Sequence, residues 1–231
     1  MSGLMTILIA SAMQTSTPSA PAGFGVAAET RNFVFYAREG AKVDAGKSQR
    51  FLDETAKQLG VEINDRRAYY RYAWAEEVAF ALGSVAAGAS GAYMANGDVH
   101  SSRPFDAHEI VHRAAYQLGN PGPMFQEGLA VELGDNGRYG NAKVDDIAKS
   151  LAGRVAFRTL ADRFASLAPE VRYPLAGSFV RFLVRRHGLA KVSEFFRSCG
   201  DRPAARDAQF AKAFGQSLDE AGALWQSSLG R

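Results

Sequence analysis

The sequence is poor in cysteine and histidine. Cys199 is the one cysteine among 231 residues, so the chain cannot form an internal disulfide or a zinc site built from several cysteines. With only four histidines present, histidine and carboxylate side chains are the ligands left for any metal site. The sequence also has no apolar run near the ~20 residues that a membrane-spanning helix needs.

A strong excess of charge of either sign is lacking as well. The formal net charge is +3, with 22% charged and 47% hydrophobic residues, which is typical of a globular domain with a sizeable core. Basic residues are scattered, and the densest short run, Arg185–His187, is more typical of a solvated helix end than of a nucleic-acid surface. We therefore expect no nucleic-acid partner.

The first 28 residues differ in composition from the rest. Residues 4–13 are apolar, and residues 19–22 have the small side chains of a signal-peptide cleavage site, but the basic start of such a signal is missing. This pattern favours a leader and an exported protein, periplasmic or secreted. The alternative is a cytoplasmic protein with a disordered leader rich in Ser, Thr, Pro and Ala.

Hydrophobic periodicity predicts strands early in the chain and helices later. The predicted strands are 31–37 and 67–74, followed by a hairpin at 91–100 in which both Asn96 and Gly97 take positive φ. The predicted loops are 84–90 and 134–140. The predicted helices are 45–59, 76–82, 105–118, 125–133, 144–151, 159–167, 173–186, 189–197, 203–214 and 218–229.

This order of elements predicts an α+β fold. We expect one domain at residues 29–231, after the leader at 1–28. Its first half, 29–120, would hold a small mixed sheet and the helix that carries the chemistry, and its second half, 121–231, would be all helical.

The most informative stretch is HEIVH at residues 108–112. On a helix, His108 and His112 lie on one face and can bind one metal ion. Glu109 lies about 100° round the helix, where it can reach a water molecule without binding the metal. Glu127, on the next predicted helix, completes the two-histidine, one-carboxylate set of catalytic zinc sites. A solvated or capping pair of histidines is the alternative interpretation.

Together with FQEGLA at residues 125–130, this motif resembles the gluzincin metallopeptidases, especially the peptidase-MA-like group. Two later segments, Tyr173–Leu183 and Phe214–Asp219, also resemble that group, so that the resemblance covers about residues 90 to 229. It implies a zincin-like fold and one zinc ion per chain, held by His108, His112 and Glu127. It also implies a peptide or protein substrate, with Glu109 as general base.

The resemblance also suggests what surrounds the metal. The hairpin would border the cleft, where an extended peptide can pair with its strand. His100, at the end of the hairpin, would then contact substrate or be an exposed histidine. Tyr173 is a candidate electrophile for the oxyanion that forms during hydrolysis, with a packed aromatic as the alternative.

Two positions depart from the family pattern. Gluzincins often carry an acidic residue four positions after the third ligand, where it orients a ligating histidine. Val131 stands there, which leaves Glu132 or Asp106 for that role, or a weak support. Ala95 stands where the aminopeptidase branch has the Glu of its GxMEN segment, which argues against a dedicated aminopeptidase.

The sequence thus predicts a zinc metallopeptidase. One alternative is a zincin-fold domain that binds or scaffolds with little or no catalysis. Another is a zinc hydrolase that acts on a non-peptide ester or amide.

Overall fold

The computed structural model describes residues 20–83, 90–200 and 205–230. The apolar run of the predicted leader, nearly all of the predicted loop at 84–90 and the first residues of the predicted helix at 203–214 lie outside these ranges. Within the described ranges, no helix has both the length and the apolar character needed to cross a membrane.

A small mixed sheet forms the N-terminal half, as predicted. Its strands are β1 (Gly25–Glu29), β2 (Phe33–Ala37), β3 (Arg67–Arg71), β4 (Gly91–Tyr93) and β5 (Val99–Ser101). They lie in the order β1-β2-β3-β5-β4, with β2, β3 and β5 parallel and the two edge strands antiparallel to their neighbours. β1 lies across the leader boundary that we placed at residue 28. Its small and mostly exposed residues lack the alternation that marks a strand in sequence.

The C-terminal half is helical, also as predicted. The helices of the described chain are α1 (Ala45–Leu59), α2 (Ala75–Leu82), α3 (Ala107–Ala115), α4 (Pro123–Leu133), α5 (Val144–Ser150), α6 (Phe157–Asp162), α7 (Pro169–His187), α8 (Leu189–Cys199), α9 (Arg206–Phe214) and α10 (Leu218–Leu229). A two-stranded hairpin, β6 (Arg138–Tyr139) with β7 (Ala142–Lys143), begins inside the predicted loop at 134–140.

Two of the predicted helices differ from the observed ones by four or more residues at one end. The helix predicted at 159–167 stops at Asp162 and is followed by a 3-10 turn at 164–166. α7 begins at Pro169, four residues before the predicted start, and runs through Pro174. Proline has the backbone angle of a first helical residue and needs no N–H there, so Pro169 starts the helix that we expected it to precede.

The turn between β4 and β5 is longer than predicted. Gly97 has φ +90°, but Asn96 is not among the residues with positive φ. Gly97 N–H donates to the Met94 carbonyl at 2.8 Å, and Met94 N–H donates to the Asp98 carbonyl at 2.9 Å. These bonds close a three-residue loop with glycine in its left-handed position, so the predicted hairpin is confirmed and the positive φ expected at Asn96 was wrong.

His100 does not contact the cleft. Neighbouring strand residues point to opposite faces, and Val99 packs into the same core as α3. His100 is therefore half-buried on the other face, where Nδ1 lies 2.9 Å from the Tyr72 hydroxyl and the ring centre lies 4.6 Å from that of Tyr70. Burial lowers the pKa of His100 to about 4. Neither interpretation that we considered for His100, a substrate contact or an exposed histidine, agrees with this packed position.

α4 and α7 approach so closely that glycine is required between them. A Cβ at Gly128 would lie 2.5 Å from Cγ2 of Val180 and 2.6 Å from the Ala176 carbonyl oxygen. A Cβ at Gly177 would lie 2.4 Å from Cγ1 of Val131. This contact fixes Glu127 on α4 relative to the first turns of α7.

We expect Gly177→Ala to lower the free energy of unfolding by about 1–3 kcal/mol, because the added methyl overpacks this contact. Gly46→Ala in α1 is the matched control, since a Cβ there meets only the flexible end of Arg50 at 3.3 Å. The control should be neutral or up to about 1 kcal/mol more stable. Urea denaturation measures both, and an unchanged midpoint for Gly177→Ala would contradict the packing described.

We also expect His100 to make stability fall with acid. Its pKa is about 4 in the folded protein and about 6.5 when unfolded, so below pH 6.5 the unfolded chain binds a proton that the folded one does not. Stability should therefore fall as pH drops from about 6.5 to about 4. In His100→Phe, about 1–3 kcal/mol of this fall should disappear. Urea denaturation at pH 7 and at pH 4 measures the free energy of unfolding of both proteins. An equal loss of this free energy in His100→Phe and in the wild type would refute the prediction.

Candidate metal centre

α3 and α4 bring His108, His112 and Glu127 together. Oε2 of Glu127 lies 3.1 Å from Nε2 of His108 and 3.3 Å from Nε2 of His112. The three residues form one group whose ligand atoms all lie within 4.8 Å of one another. The structure thus joins, from two separate helices, the three side chains that the sequence suggested as ligands.

The local sequence explains how each helix presents its ligands. Ile110, Val111 and Ala114 on α3 are fully buried, which turns the histidine face towards α4. On α4, Phe125 and Leu129 are fully buried on one face. Glu127 is two residues from each and therefore lies on the opposite face, which faces α3. Both helices therefore direct polar groups into one space while their apolar faces pack into the core.

The donor set fits a zinc ion. With bonds of about 2.0–2.1 Å, adjacent ligand atoms of a tetrahedral site lie about 3.3–3.4 Å apart. The contacts from Glu127 to the two histidines, 3.1 and 3.3 Å, are close to that spacing. Two imidazoles and one carboxylate leave the fourth position free, as in catalytic zinc sites.

Asp135 orients His108. Oδ2 of Asp135 lies 2.7 Å from Nδ1 of His108, on the side of the ring opposite the ligand nitrogen. We had considered Glu132 and Asp106 for this role, and both predictions were wrong. Glu132 accepts a hydrogen bond from Arg181 at 2.9 Å, and Asp106 accepts one from the Ser101 hydroxyl at 2.6 Å.

A tight turn after α4 brings Asp135 to the histidine. A Cβ at Gly134 would lie 2.8 Å from the backbone of His108, so only glycine permits this approach. Asn136 and Gly137 then take left-handed angles, with φ of 54° and 65°, and Gly137 N–H donates to the Val131 carbonyl at 2.9 Å. The sequence signal was GDNG at residues 134–137, which is a turn signal but does not reveal what the turn contacts.

His112 is held differently. Its side chain is buried, and its Nδ1 has no hydrogen-bond partner in the part of the chain that the structure describes. The rings of Tyr93 and Tyr116 lie 6.2 and 6.1 Å from the imidazole and are stacked on each other. Packing against aromatic rings thus positions His112, whereas a carboxylate positions His108.

The electrostatics of the group follow from burial and mutual contact. Burial opposes the charge on Glu127, but His112 and His108 hold the pKa of this carboxyl well below its usual range. Burial likewise opposes charge on His108, but Asp135 and Glu127 raise the pKa of His108 well above its usual value. A cation bound here would compete with a proton for Nε2 of His108.

Glu109 lies at the floor of a cleft beside the ligand group. Burial raises the pKa of Glu109 to about 7, although His108 and His112 oppose this shift. The cleft has a volume of about 590 Å³, within the range of small-ligand and peptide sites. Gly91 of β4 forms part of its wall, and a Cβ there would lie 2.8 Å from Asp106 and 3.0 Å from Glu109.

Tyr173 lies in the same cleft. Its ring is 6.2 Å from that of His108, and it stacks on Tyr139 of β6 at 6.3 Å. Burial raises the pKa of Tyr173, so its hydroxyl keeps its proton at neutral pH. The cleft also contains Arg138 and Arg172, which the sequence analysis did not single out.

The comparisons with known proteins add no relative. No protein-family model matches the chain, and neither the curated proteins nor the solved structures contain a match.

We expect Asp135→Ala to weaken zinc binding about 10- to 100-fold, because His108 loses the group that orients it. Glu132→Gln is the matched control, since it neutralises a neighbouring acid that contacts Arg181 instead of a ligand. Competition with a zinc-chelating dye measures the affinities. Equal loss in both variants would mean that the charge near the site matters and the contact with His108 does not.

Proposed function

We propose that the protein is a zinc-dependent metallopeptidase of gluzincin type, with a zincin-like fold and one zinc ion per chain. The observation that carries the proposal is the convergence of His108, His112 and Glu127 next to a cleft that His108 and Glu109 line. The mixed sheet, the helix α3 and the helical second half agree with this fold.

The residues of the site would divide the work of hydrolysis. Bound at the two histidines and Glu127, zinc would act as a Lewis acid towards the substrate carbonyl and make a water molecule more acidic. Glu109 would accept a proton from the attacking water and later deliver it to the leaving amine. Burial, which raises the pKa of Glu109, favours the protonated carboxyl that delivers this proton.

Two further residues would support the reaction. Asp135 would keep the His108 ring in the orientation that presents Nε2 to the metal. Tyr173, protonated at neutral pH, would donate a hydrogen bond to the carbonyl oxygen as negative charge develops on it.

The edge of the sheet supports a peptide as substrate. β4 is an edge strand, pairing with β5 among the strands described, and its first residue Gly91 lies in the wall of the cleft. An extended peptide could add to this edge and pass over Glu109. Export to the periplasm or the medium stays a prediction from residues 4–22 of the sequence.

The alternative is a zincin-like domain that binds a partner with little or no catalysis. The feature that favours it is Nδ1 of His112, which has no hydrogen-bond partner among the described residues, whereas ligating histidines almost always have one. Both proposals predict zinc binding, so turnover separates them.

We expect Glu109→Gln to keep one zinc per chain and to lose hydrolysis by a factor of about 10² to 10⁴, because the proton acceptor is removed and the ligands are not. Zinc content is measured by plasma mass spectrometry, and hydrolysis with a fluorogenic unstructured protein such as labelled casein.

Chelator should abolish the wild-type activity and added zinc should restore it. Equal activity in Glu109→Gln and wild type would exclude the mechanism. A zinc-loaded wild type that cleaves none of a panel of unstructured substrates would favour the binding domain instead.

A further inference from the structure

Two arginines project into the cleft without a carboxylate partner. Arg138 lies on β6, and Arg172 is the fourth residue of α7. Both line the cleft together with His108 and Glu109. Neither forms an ion pair with an acidic residue in the described parts of the chain, although the third arginine of the cleft, Arg103, lies 3.6 Å from Asp106.

Both guanidinium groups are held in place by uncharged contacts. Arg172 donates from Nη1 to the carbonyls of Ala165 and Leu167 at 3.2 and 3.3 Å, and its guanidinium lies 5.2 Å from the ring centre of Tyr173. Arg138 donates from Nη2 to the Asn141 carbonyl. Such contacts fix the position of an arginine but leave its positive charge uncompensated.

The acidic groups of the cleft have other partners. Asp135 contacts His108 and Asp106 contacts Ser101, while Glu109 serves as the general base in the proposed reaction. No carboxylate of the cleft wall is therefore within ion-pair distance of Arg138 or Arg172 in the described chain. Arginine pairs well with carboxylates, because its parallel N–H groups match the two oxygens.

We propose that Arg138 and Arg172 form a subsite for a carboxylate of the substrate, so that the cleft selects acidic peptides. The carboxylate can come from an Asp or Glu side chain near the scissile bond or from the C-terminus of the peptide. The role of this subsite in hydrolysis rests on the proposed peptidase function, but carboxylate binding can be measured without turnover.

The test measures peptide binding to the zinc-loaded Glu109→Gln protein by fluorescence anisotropy. The probes are labelled alanine-rich peptides with a central Glu, Gln or Lys and an amidated C-terminus, together with a central-Gln peptide that has a free C-terminus. We expect a carboxylate-bearing peptide to bind about 5- to 20-fold more tightly than the amidated Gln peptide. Preference for the central-Glu peptide identifies a side chain as the source, and preference for the free C-terminus identifies the terminal carboxylate.

Arginine variants locate the effect. Arg138→Gln and Arg172→Gln should each remove most of the preference, whereas Arg154→Gln, an exposed arginine outside the cleft, should retain it. Arg172→Gln loses the hydrogen bonds to Ala165 and Leu167. If this variant does not fold, Arg138→Gln and the peptide series still test whether the cleft binds a carboxylate.

Equal affinity for the Glu, Gln and Lys peptides and for the free C-terminus, including no binding of any of them, would overturn the subsite. Preference that survives in both arginine variants would overturn its assignment to these residues. A carboxylate preference in binding, with no cleavage of any peptide by the zinc-loaded wild type, would leave the subsite standing and reject the peptidase function.

Discussion

The approach of α3 to α4 is the constraint on which the rest of the site depends. It places the carboxylate of Glu127 against Nε2 of both His108 and His112, and it buries His112 and most of the side chains of His108 and Glu127. Polar groups are costly to bury unless they are paired with one another or bind a metal. A cation at the centre of such a cluster would contact all three groups at once, which is the basis for the proposed zinc.

Glycine makes these close contacts possible. Gly134 lets the end of α4 lie against the backbone of His108, and Gly128 and Gly177 let α4 lie against α7. The first contact delivers Asp135 to one ligand, and the second places Tyr173 and Arg172 beside the same cleft. The packing of α4 against α3 and α7 thus positions the three candidate metal ligands, Asp135, and the two residues of α7 that would meet the substrate.

The parts of the site that the sequence predicted are those set by local periodicity. His108 and His112 share a face because a helix turns every 3.6 residues, and Glu127 follows on the next helix. Asp135, Arg138 and Arg172 could not be found in this way, because their roles depend on how a left-handed turn, a short hairpin and a distant helix fold back on α3. The edge strand β1 was not predicted for the same reason. It is a strand because it pairs with β2, and its own sequence has no strand pattern.

The most direct test of the central claim is anomalous scattering at the zinc absorption edge from crystals of the zinc-loaded protein. The account predicts one strong peak per chain, about 2.0–2.2 Å from Nε2 of His108, Nε2 of His112 and a carboxylate oxygen of Glu127. A zinc-loaded crystal with no peak at this position, or with its zinc bound elsewhere, would contradict it.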